Sequence, residues 1–342
     1  MIIEETGLCS KCGEDEAVAS QLLDGPPRLS SPGSGCVKLW VVNETFCMNP
    51  HQLTTLLNSL SSAHAGDLRQ TQPVATSQRF WQWTMLAQAL APALLSRNRR
   101  IVAISGSQGS GKSTLAKILV EQLREHGKTA ACVSLDDFYL PKQTRVKLAQ
   151  EVHPLLATRG VPGTHDSSRL RHVLEQFEST LGLVTVDLPV FDKGLDDRVA
   201  DTQVQAELLI VEGWCLGVQP QDAALLAHPI NDLERAEDTH STWRRWSNQQ
   251  IQQHYLPLWP LINEWILLEP PGFAQVQQWR RQQEMDLPSD QRMSEPALQR
   301  FIQHYQRLTE WQWQHPIKAP GLRVELTPDH EIKDIHSLED NS

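Results

Sequence analysis

"RIVAISGSQGSGKSTLAKILVEQLREHG", residues 100–127, decides the fold. RIVAISG is short and almost wholly apolar, the composition of a parallel strand buried on both faces. KSTLAKILVEQLREHG alternates apolar and polar residues at helical spacing, and its closing Gly127 suits a helix C-cap. A second apolar run, KTAACVSLDDF, follows at 128–138. Strand, helix and strand in this order make a βαβ unit, so the fold expected is α/β: a P-loop NTPase fold with a mostly parallel sheet flanked by helices. Further strands are expected at GLVTVDL (182–188), ELLIVEGW (207–214), EWILLEP (264–270) and GLRVEL (321–326). Helices are expected at 77–97, 168–179, 239–254, 273–285 and 294–314.

Between the first strand and its helix stands GSQGSGKS, which fits G-x-x-x-x-G-K-[ST] without a mismatch. The spacing has a physical reason. Glycines let the backbone curl so that successive N–H groups point inward at phosphate oxygens, and the helix starting near Lys112 adds its positive dipole end. Gly106, Ser107, Gln108, Gly109, Ser110, Gly111, Lys112, Ser113 and Thr114 are thus expected to hold a nucleoside triphosphate. Lys112 reaches the β- and γ-phosphates, the Ser113 hydroxyl binds Mg²⁺, and Thr114 adds a polar contact. The chain has no Asn-Lys-x-Asp base-reading motif of GTPases and no Leu-Ser-Gly-Gly signature of ABC-type ATPases. A small-molecule kinase needs less: a metal-binding carboxylate, an acceptor pocket with a base, and a lid bearing arginines.

Two carboxylate sites suit that chemistry. Asp136 and Asp137 end the second strand, at the sheet edge where the phosphate loop emerges and where open α/β sheets bind ligands. Neighbours on a strand point to opposite faces, so one of the pair is expected to face the γ-phosphate. Glu212 ends the run ELLIVEGW, the place of an acid that holds Mg²⁺ directly or through water.

The chain has 342 residues and a net charge of −10, from 31 basic and 41 acidic residues, which argues against non-specific binding to nucleic acid or an anionic membrane. No run approaches the ~18 apolar residues of a membrane helix, and the acidic N-terminus lacks the order of a signal peptide. Six cysteines without a secretory signal read as reduced thiols in a cytoplasm. Cys9 and Cys12 form a C-x-x-C, but Cys36 and Cys47 are too widely spaced to complete a zinc ribbon, so the cysteines are taken as incidental. Residues 1–78 read as a poorly ordered or separate extension, with a linker at 24–35, strand character at 37–46 and a short helix at 50–64. Residues 79–342 read as the kinase domain.

GSQGSGKS, SLDDFYLP, RGVPGTHD, LPVFDKGLDDR, VEGWCLG and the later QWRRQQE stand in the same order as in the D-glycerate 3-kinases, which the chain resembles over about residues 80–320. These belong to the phosphoribulokinase, uridine kinase and pantothenate kinase superfamily. The resemblance implies an ATP- and Mg²⁺-dependent kinase in which Asp136 is the catalytic base, close to the metal. It also implies that Ser113, Asp136 and Glu212 are the metal-site residues and that Arg280 or Arg281 closes on the phosphates from a lid helix. Asp137 is often Ser or Gly in the wider superfamily. The implied acceptor is D-glycerate, a small anion that needs a cation for its carboxylate and polar partners for its hydroxyls. RGVPGTHD supplies Arg159, Thr164, His165 and Asp166, while PVFDKGLDDR supplies Asp192, Lys193 and Arg198. Other readings stay open for these residues. Gly160, Pro162 and Gly163 suit a turn, Asp166 suits a helix N-cap, His165 a structural hydrogen bond, and Lys193 and Arg198 solvated charges. The tryptophans of the C-terminal half have the spacing of core packing. Two rival functions remain: a kinase for another small hydroxyl compound, nucleoside-like or pantothenate-like, and a regulatory ATP-binding protein. A hydroxyl base at Asp136 disfavours the second.

Overall fold

A computed structural model describes residues 78–289 and 292–338, together with the backbone of three short strands at 28–29, 37–41 and 44–48. Those strands, β1 (Arg28–Leu29), β2 (Val37–Val41) and β3 (Glu44–Met48), pair antiparallel in that order. The expected linker at 24–35 falls largely outside the described residues, and the helix at 50–64 and the Cys9 and Cys12 pair fall wholly outside them.

From residue 78 the chain alternates helix and strand. α1 (Gln78–Ser96) leads into β4 (Ile101–Gly106), and α2 (Lys112–Glu125) leads into β5 (Ala130–Ser134). α3 (Lys142–Glu151) and α4 (Ser167–Ser179) follow. Next come β6 (Val184–Leu188), β7 (Phe191–Asp192), β8 (Asp197–Arg198), β9 (Thr202–Ala206) and β10 (Leu208–Gly213). α5 (Asp232–Glu237), α6 (Thr242–Gln250), β11 (Glu264–Glu269), α7 (Phe273–Met285), α8 (Glu295–Gln314), β12 (Gly321–Leu326) and β13 (Ile332–Ser337) complete the described chain.

The main sheet has the order β13-β12-β11-β4-β10-β5. Its pairings are parallel except for the antiparallel edge strand β13. Alternation along the central strands builds two cores. Val102, Ile104, Leu208, Ile210, Ile266 and Leu268 pack on one face with α1 and α2. Ile101, Ala103, Leu209, Val211, Trp265 and Leu267 pack on the other with α4 and α8. All six residues of β4 are buried, and each large aliphatic side chain placed there contributes about 1.5–3 kcal/mol. The tryptophans Trp259, Trp265 and Trp279 are buried in these two cores, and Trp243 is buried in a smaller cluster with Leu155, Leu156, Val161 and Leu233.

The strand expected at 182–188 forms as β6, outside the parallel sheet. It pairs antiparallel with β9 as a separate ribbon. Val184, Val186 and Leu188 are buried while Thr185 and Asp187 are exposed, the one-sided pattern of an antiparallel strand. α3, β9 and β13 are elements that the sequence pattern does not announce. Among the described residues no helix is long and apolar enough to cross a membrane.

Candidate active site

The carboxyl ends of β4, β5 and β10 open onto a cleft of about 1320 Å³, larger than one small ligand needs and roomy enough for a nucleotide with an acceptor. The loop from Gly106 to Gly111 forms its floor. Gly109 and Gly111 have φ of +79° and +92°, a region that side chains disfavour. A Cβ on Gly109 would lie 2.6 Å from Cβ of Trp279. The hydroxyls of Ser107 and Ser110 are buried in this loop without a hydrogen-bond partner. Such a loop, with glycines at positive φ, no room for a side chain at Gly109 and two buried unpartnered hydroxyls, fits the phosphates of a nucleotide.

The cationic and acidic groups of the loop meet at its end. Lys112 Nζ donates to Ser107 O at 3.0 Å. Burial pulls its ammonium below the usual range, against the pull of the Glu212 and Asp136 carboxylates. Ser113 Oγ donates to Glu212 Oε1 at 2.8 Å, so two of the three residues expected at the Mg²⁺ site, which also include Asp136, are adjacent. Glu212 is buried, and Lys112 is the cation near it. Among the described residues no group of three or more His, Cys, Asp or Glu forms a metal cluster. Mg²⁺ bound chiefly by phosphate oxygens, a hydroxyl and a carboxylate needs none.

The two aspartates separate by role, though not by strand alternation. They lie in a 3₁₀ turn at Leu135–Phe138, just beyond β5. Asp137 Oδ2 accepts from Ser134 N at 3.2 Å and closes a capping box with the Ser134 hydroxyl, which accepts from Asp136 N at 3.3 Å. Burial raises the Asp137 carboxyl, and its hydrogen bonds from Phe191 and Ser134 work the other way. Asp136 lines the cleft, where Lys193 Nζ donates to its Oδ2 at 2.6 Å. Burial acts to raise the Asp136 carboxyl, but the Lys193 ammonium and its hydrogen bond, with His165 and Lys112, outweigh it and hold the carboxyl below the usual range.

The two segments SLDDFYLP and RGVPGTHD are zipped together by backbone. Leu140 N donates to Thr164 O at 2.8 Å, and Asp166 N donates to Phe138 O at 2.7 Å. Between them Tyr139 and His165 form an antiparallel bridge and stack their rings at 4.5 Å. Within this arrangement the acceptor-side residues sort by what they touch. Arg159 and Lys193 line the cleft beside Gly194 and Tyr139. Arg159 is paired with Asp196, and its guanidinium stands 5.6 Å from the centre of the Phe191 ring.

Thr164, His165, Asp166, Asp192 and Arg198 turn to the protein itself. Thr164 Oγ1 donates to Val161 O at 2.7 Å and accepts from Gly160 N at 3.2 Å. Asp166 caps α4 by accepting from Arg169 N at 3.0 Å, and its other oxygen pairs with Arg198 at 3.3 Å. Asp192 Oδ1 accepts from Gly194 N and Leu195 N at 2.8 and 2.9 Å, shaping the β7–β8 turn. His165 Nδ1 meets Tyr255 Oη at 2.7 Å, and burial lowers its pKa to about 4, so the ring is neutral at neutral pH.

On the lid helix α7, successive residues point about 100° apart, and the two arginines diverge. Arg280 lines the cleft, paired with Glu284 at 2.8 Å. Arg281 pairs with Glu295 on the exposed side. Tyr139, Tyr305, Trp214 and His330 are among the cleft residues that the sequence does not single out. Tyr139 lies three residues after Asp136, a proximity that could have flagged it.

A family model described as "Nephrocystin 3, N-terminal" matches residues 74–180, the part that carries the phosphate loop. An uncharacterized kinase of Schizosaccharomyces pombe is 34% identical over 225 residues, covering 60% of this chain and 78% of that protein. The chloroplastic D-glycerate 3-kinase of Arabidopsis thaliana is 26% identical over 220 residues, covering 60% of this chain and 46% of that enzyme. The solved structure of a D-glycerate 3-kinase from Cryptococcus neoformans var. grubii superposes with a TM-score of 0.62 at 25% identity, covering 77% of this chain and all 100% of that one.

Proposed function

The chain belongs to the glycerate kinase-like family of P-loop kinases, and from that premise we propose that it transfers the γ-phosphoryl group of ATP to a hydroxyl of D-glycerate, giving 3-phosphoglycerate. The observation that carries the reading is the pairing of Asp136 with Lys193 in the cleft that also holds Lys112, Ser113 and Glu212. A base paired with Lys193, in a cleft that Arg159 also lines, suits a hydroxyl acceptor with a negative charge. The D-glycerate 3-kinases similar to this chain support the same acceptor.

In this reading residues 106–114 hold the triphosphate, with Lys112 on the β- and γ-phosphates. Ser113 and Glu212 hold Mg²⁺, with Asp136 close by. The metal supplies charge neutralisation on the phosphates. Arg159 and Lys193 bind the acceptor carboxylate. Asp136 orients the acceptor hydroxyl and takes its proton late in the transfer, as the oxygen–phosphorus bond forms and the bond from phosphorus to ADP breaks. A carboxylate held below its usual range suffices as such a base, because phosphoryl transfer is loose and rests mainly on positioning and electrostatics. Arg280, rather than Arg281, approaches the phosphates from the lid. Thr164, His165, Asp166, Asp192 and Arg198 shape the acceptor side without touching the ligand. The kinase unit spans residues 79–342, and residues 1–78 are an extension to it.

The test is ADP release over a panel of small hydroxyl acids, sugars, nucleosides and pantothenate. Turnover with D-glycerate well above the ATP-only background is expected. Turnover with another acceptor and none with D-glycerate overturns the acceptor assignment. ATP binding without turnover on any acceptor overturns the kinase reading.

A further inference from the structure

The phosphate loop has a support outside its own strand and helix. The turn between β12 and β13, residues 327–331, is closed by Thr327 N donating to Glu331 O at 2.8 Å and His330 N donating to Thr327 O at 3.1 Å. It presents His330 at a φ of +65°. From there the imidazole Nε2 lies 2.6 Å from Gly109 O. A carbonyl oxygen can only accept, so Nε2 carries the proton of this bond. The ring lies flat against Trp279, with centroids 4.2 Å apart and planes 21° from parallel. Trp279 Nε1 in turn donates to Pro328 O of the same turn at 2.8 Å. Trp279 also leaves no room for a side chain at Gly109, as the 2.6 Å approach to an added Cβ shows. Lid helix, C-terminal turn and phosphate loop therefore meet at one point.

The consequence follows from the planarity of the peptide. The bond between Gly109 and Ser110 is trans, so its C=O and N–H point in opposite directions. Holding Gly109 O against His330 fixes the opposite direction for the Ser110 N–H, which makes a long contact of 3.3 Å to Ser107 O within the loop. An N–H so weakly engaged is free to exchange that contact for a phosphate oxygen. We propose that His330 is a positioning residue for nucleotide binding: its Nε2–H sets the plane of the peptide that aims the Ser110 N–H at the phosphates. The stack on Trp279 keeps the imidazole in place and ties it to the helix that carries Arg280. The proposal rests on the nucleotide-binding reading of the loop and is independent of the acceptor.

The test compares His330→Phe, which keeps a flat ring on Trp279 and loses the donor, with His330→Gln, whose Nε2 reaches about as far and restores it. Both replacements pay a similar cost at positive φ, so the difference between them isolates the donor. ADP affinity is measured directly by calorimetry, and KM for ATP and kcat with the working acceptor are measured beside it. His330→Phe is expected to weaken ADP binding and raise KM for ATP by about threefold to tenfold, the effect of one hydrogen bond, with kcat at saturating ATP within about twofold. His330→Gln is expected to recover most of that loss. Wild-type ADP affinity in His330→Phe overturns the proposal. So does equal impairment of both variants, or a fall in kcat with nucleotide affinity unchanged. Failure of the unsubstituted protein to bind ADP or ATP overturns the nucleotide reading as well.

Discussion

Gly160→Ala tests whether the acceptor loop is built by packing. Gly160 has a φ of +143°, a region nearly reserved for glycine, and a Cβ there would lie 2.5 Å from Tyr305 Oη and 2.7 Å from its Cζ. Tyr305 cannot easily retreat. It is 4% exposed and packs edge-on against Trp214 at 4.8 Å. Its hydroxyl donates to Arg159 O at 3.2 Å, and Trp214 Nε1 donates to Gly160 O at 3.1 Å. The backbone conformation costs about 1–3 kcal/mol, and overpacking about 1–3 kcal/mol. The weakened hydrogen bond adds about 1 kcal/mol. Partial relaxation brings the sum to about 3–5 kcal/mol, and thermal melting should fall by about 6–15 °C for a unit of this size. Relaxation would also carry Arg159, the preceding residue, away from the cleft. The KM of the acceptor is therefore expected to rise at least about tenfold, the effect of displacing one charged contact, while ADP affinity holds. The double variant Gly160→Ala with Tyr305→Leu removes the obstacle and should recover the steric part of the loss but not the backbone part. A Gly160→Ala protein that melts within about 1 °C of the parent and keeps its acceptor KM would refute the reasoning, since 1 °C is well under 1 kcal/mol.

Three further outcomes are expected. Asp136→Asn should keep ADP affinity and lose about 10²–10⁴ in kcat, the usual share of a positioned acid–base group, and unchanged turnover would remove Asp136 from the base role. Lys193→Met removes the ammonium that holds the Asp136 carboxyl down and leaves burial to raise it. Only the deprotonated carboxylate accepts a proton, so activity is lost as pH falls through the Asp136 pKa, and the acid limb of the pH–kcat/KM profile should move to higher pH. An acid limb that stays in place or moves down contradicts the electrostatic coupling. Arg280→Gln should lower kcat by about tenfold or more whereas Arg281→Gln should stay within about twofold, because only Arg280 lines the cleft; equal effects in steady-state kinetics would contradict that division.

Much of the fold is legible in the sequence because local and long-range signals agree. Residues 273–285 and 321–326 read as helix and strand, and the structure forms α7 and β12 over the same residues. β13 is not legible. Its sequence, IKDIHS, buries Ile332 and Ile335, an odd spacing that no strand alternation produces, and a register irregularity between Glu325 and Leu326 accommodates it. α3 is hidden for a different reason. KQTRVKLAQE has little apolar content, and its one buried side chain is Arg145, which donates to Leu140 O at 3.1 Å and to Ala157 O at 3.0 Å.

The site divides along the same line. The phosphate loop is legible because its backbone curl, its lysine and its hydroxyl lie within eight consecutive residues. The acceptor side depends on which polar groups satisfy one another across the fold, and spacing carries no record of that. Asp166 and Arg198 stand 32 residues apart yet pair at 3.3 Å, because β7 and β8 return the chain to the start of α4. Lys193 is drawn from the same turn, but its tip position carries it 57 residues back along the sequence to Asp136. The distinction matters for mechanism. Asp166 is committed within the fold, one oxygen capping α4 and the other paired with Arg198, whereas Lys193 is 63% exposed and can exchange its partner. An incoming carboxylate competes with Asp136 for that ammonium. As Lys193 moves to the acceptor, Asp136 loses a cation that lowers its pKa, and its basicity rises at the moment a hydroxyl is seated beside it. An acceptor without a negative charge would leave the pair intact and the base restrained. If D-glycerate is the acceptor as proposed, hydroxyl acids are expected to outperform neutral alcohols of the same size in kcat as well as in KM, and equal kcat for the two classes in steady-state kinetics would contradict this coupling.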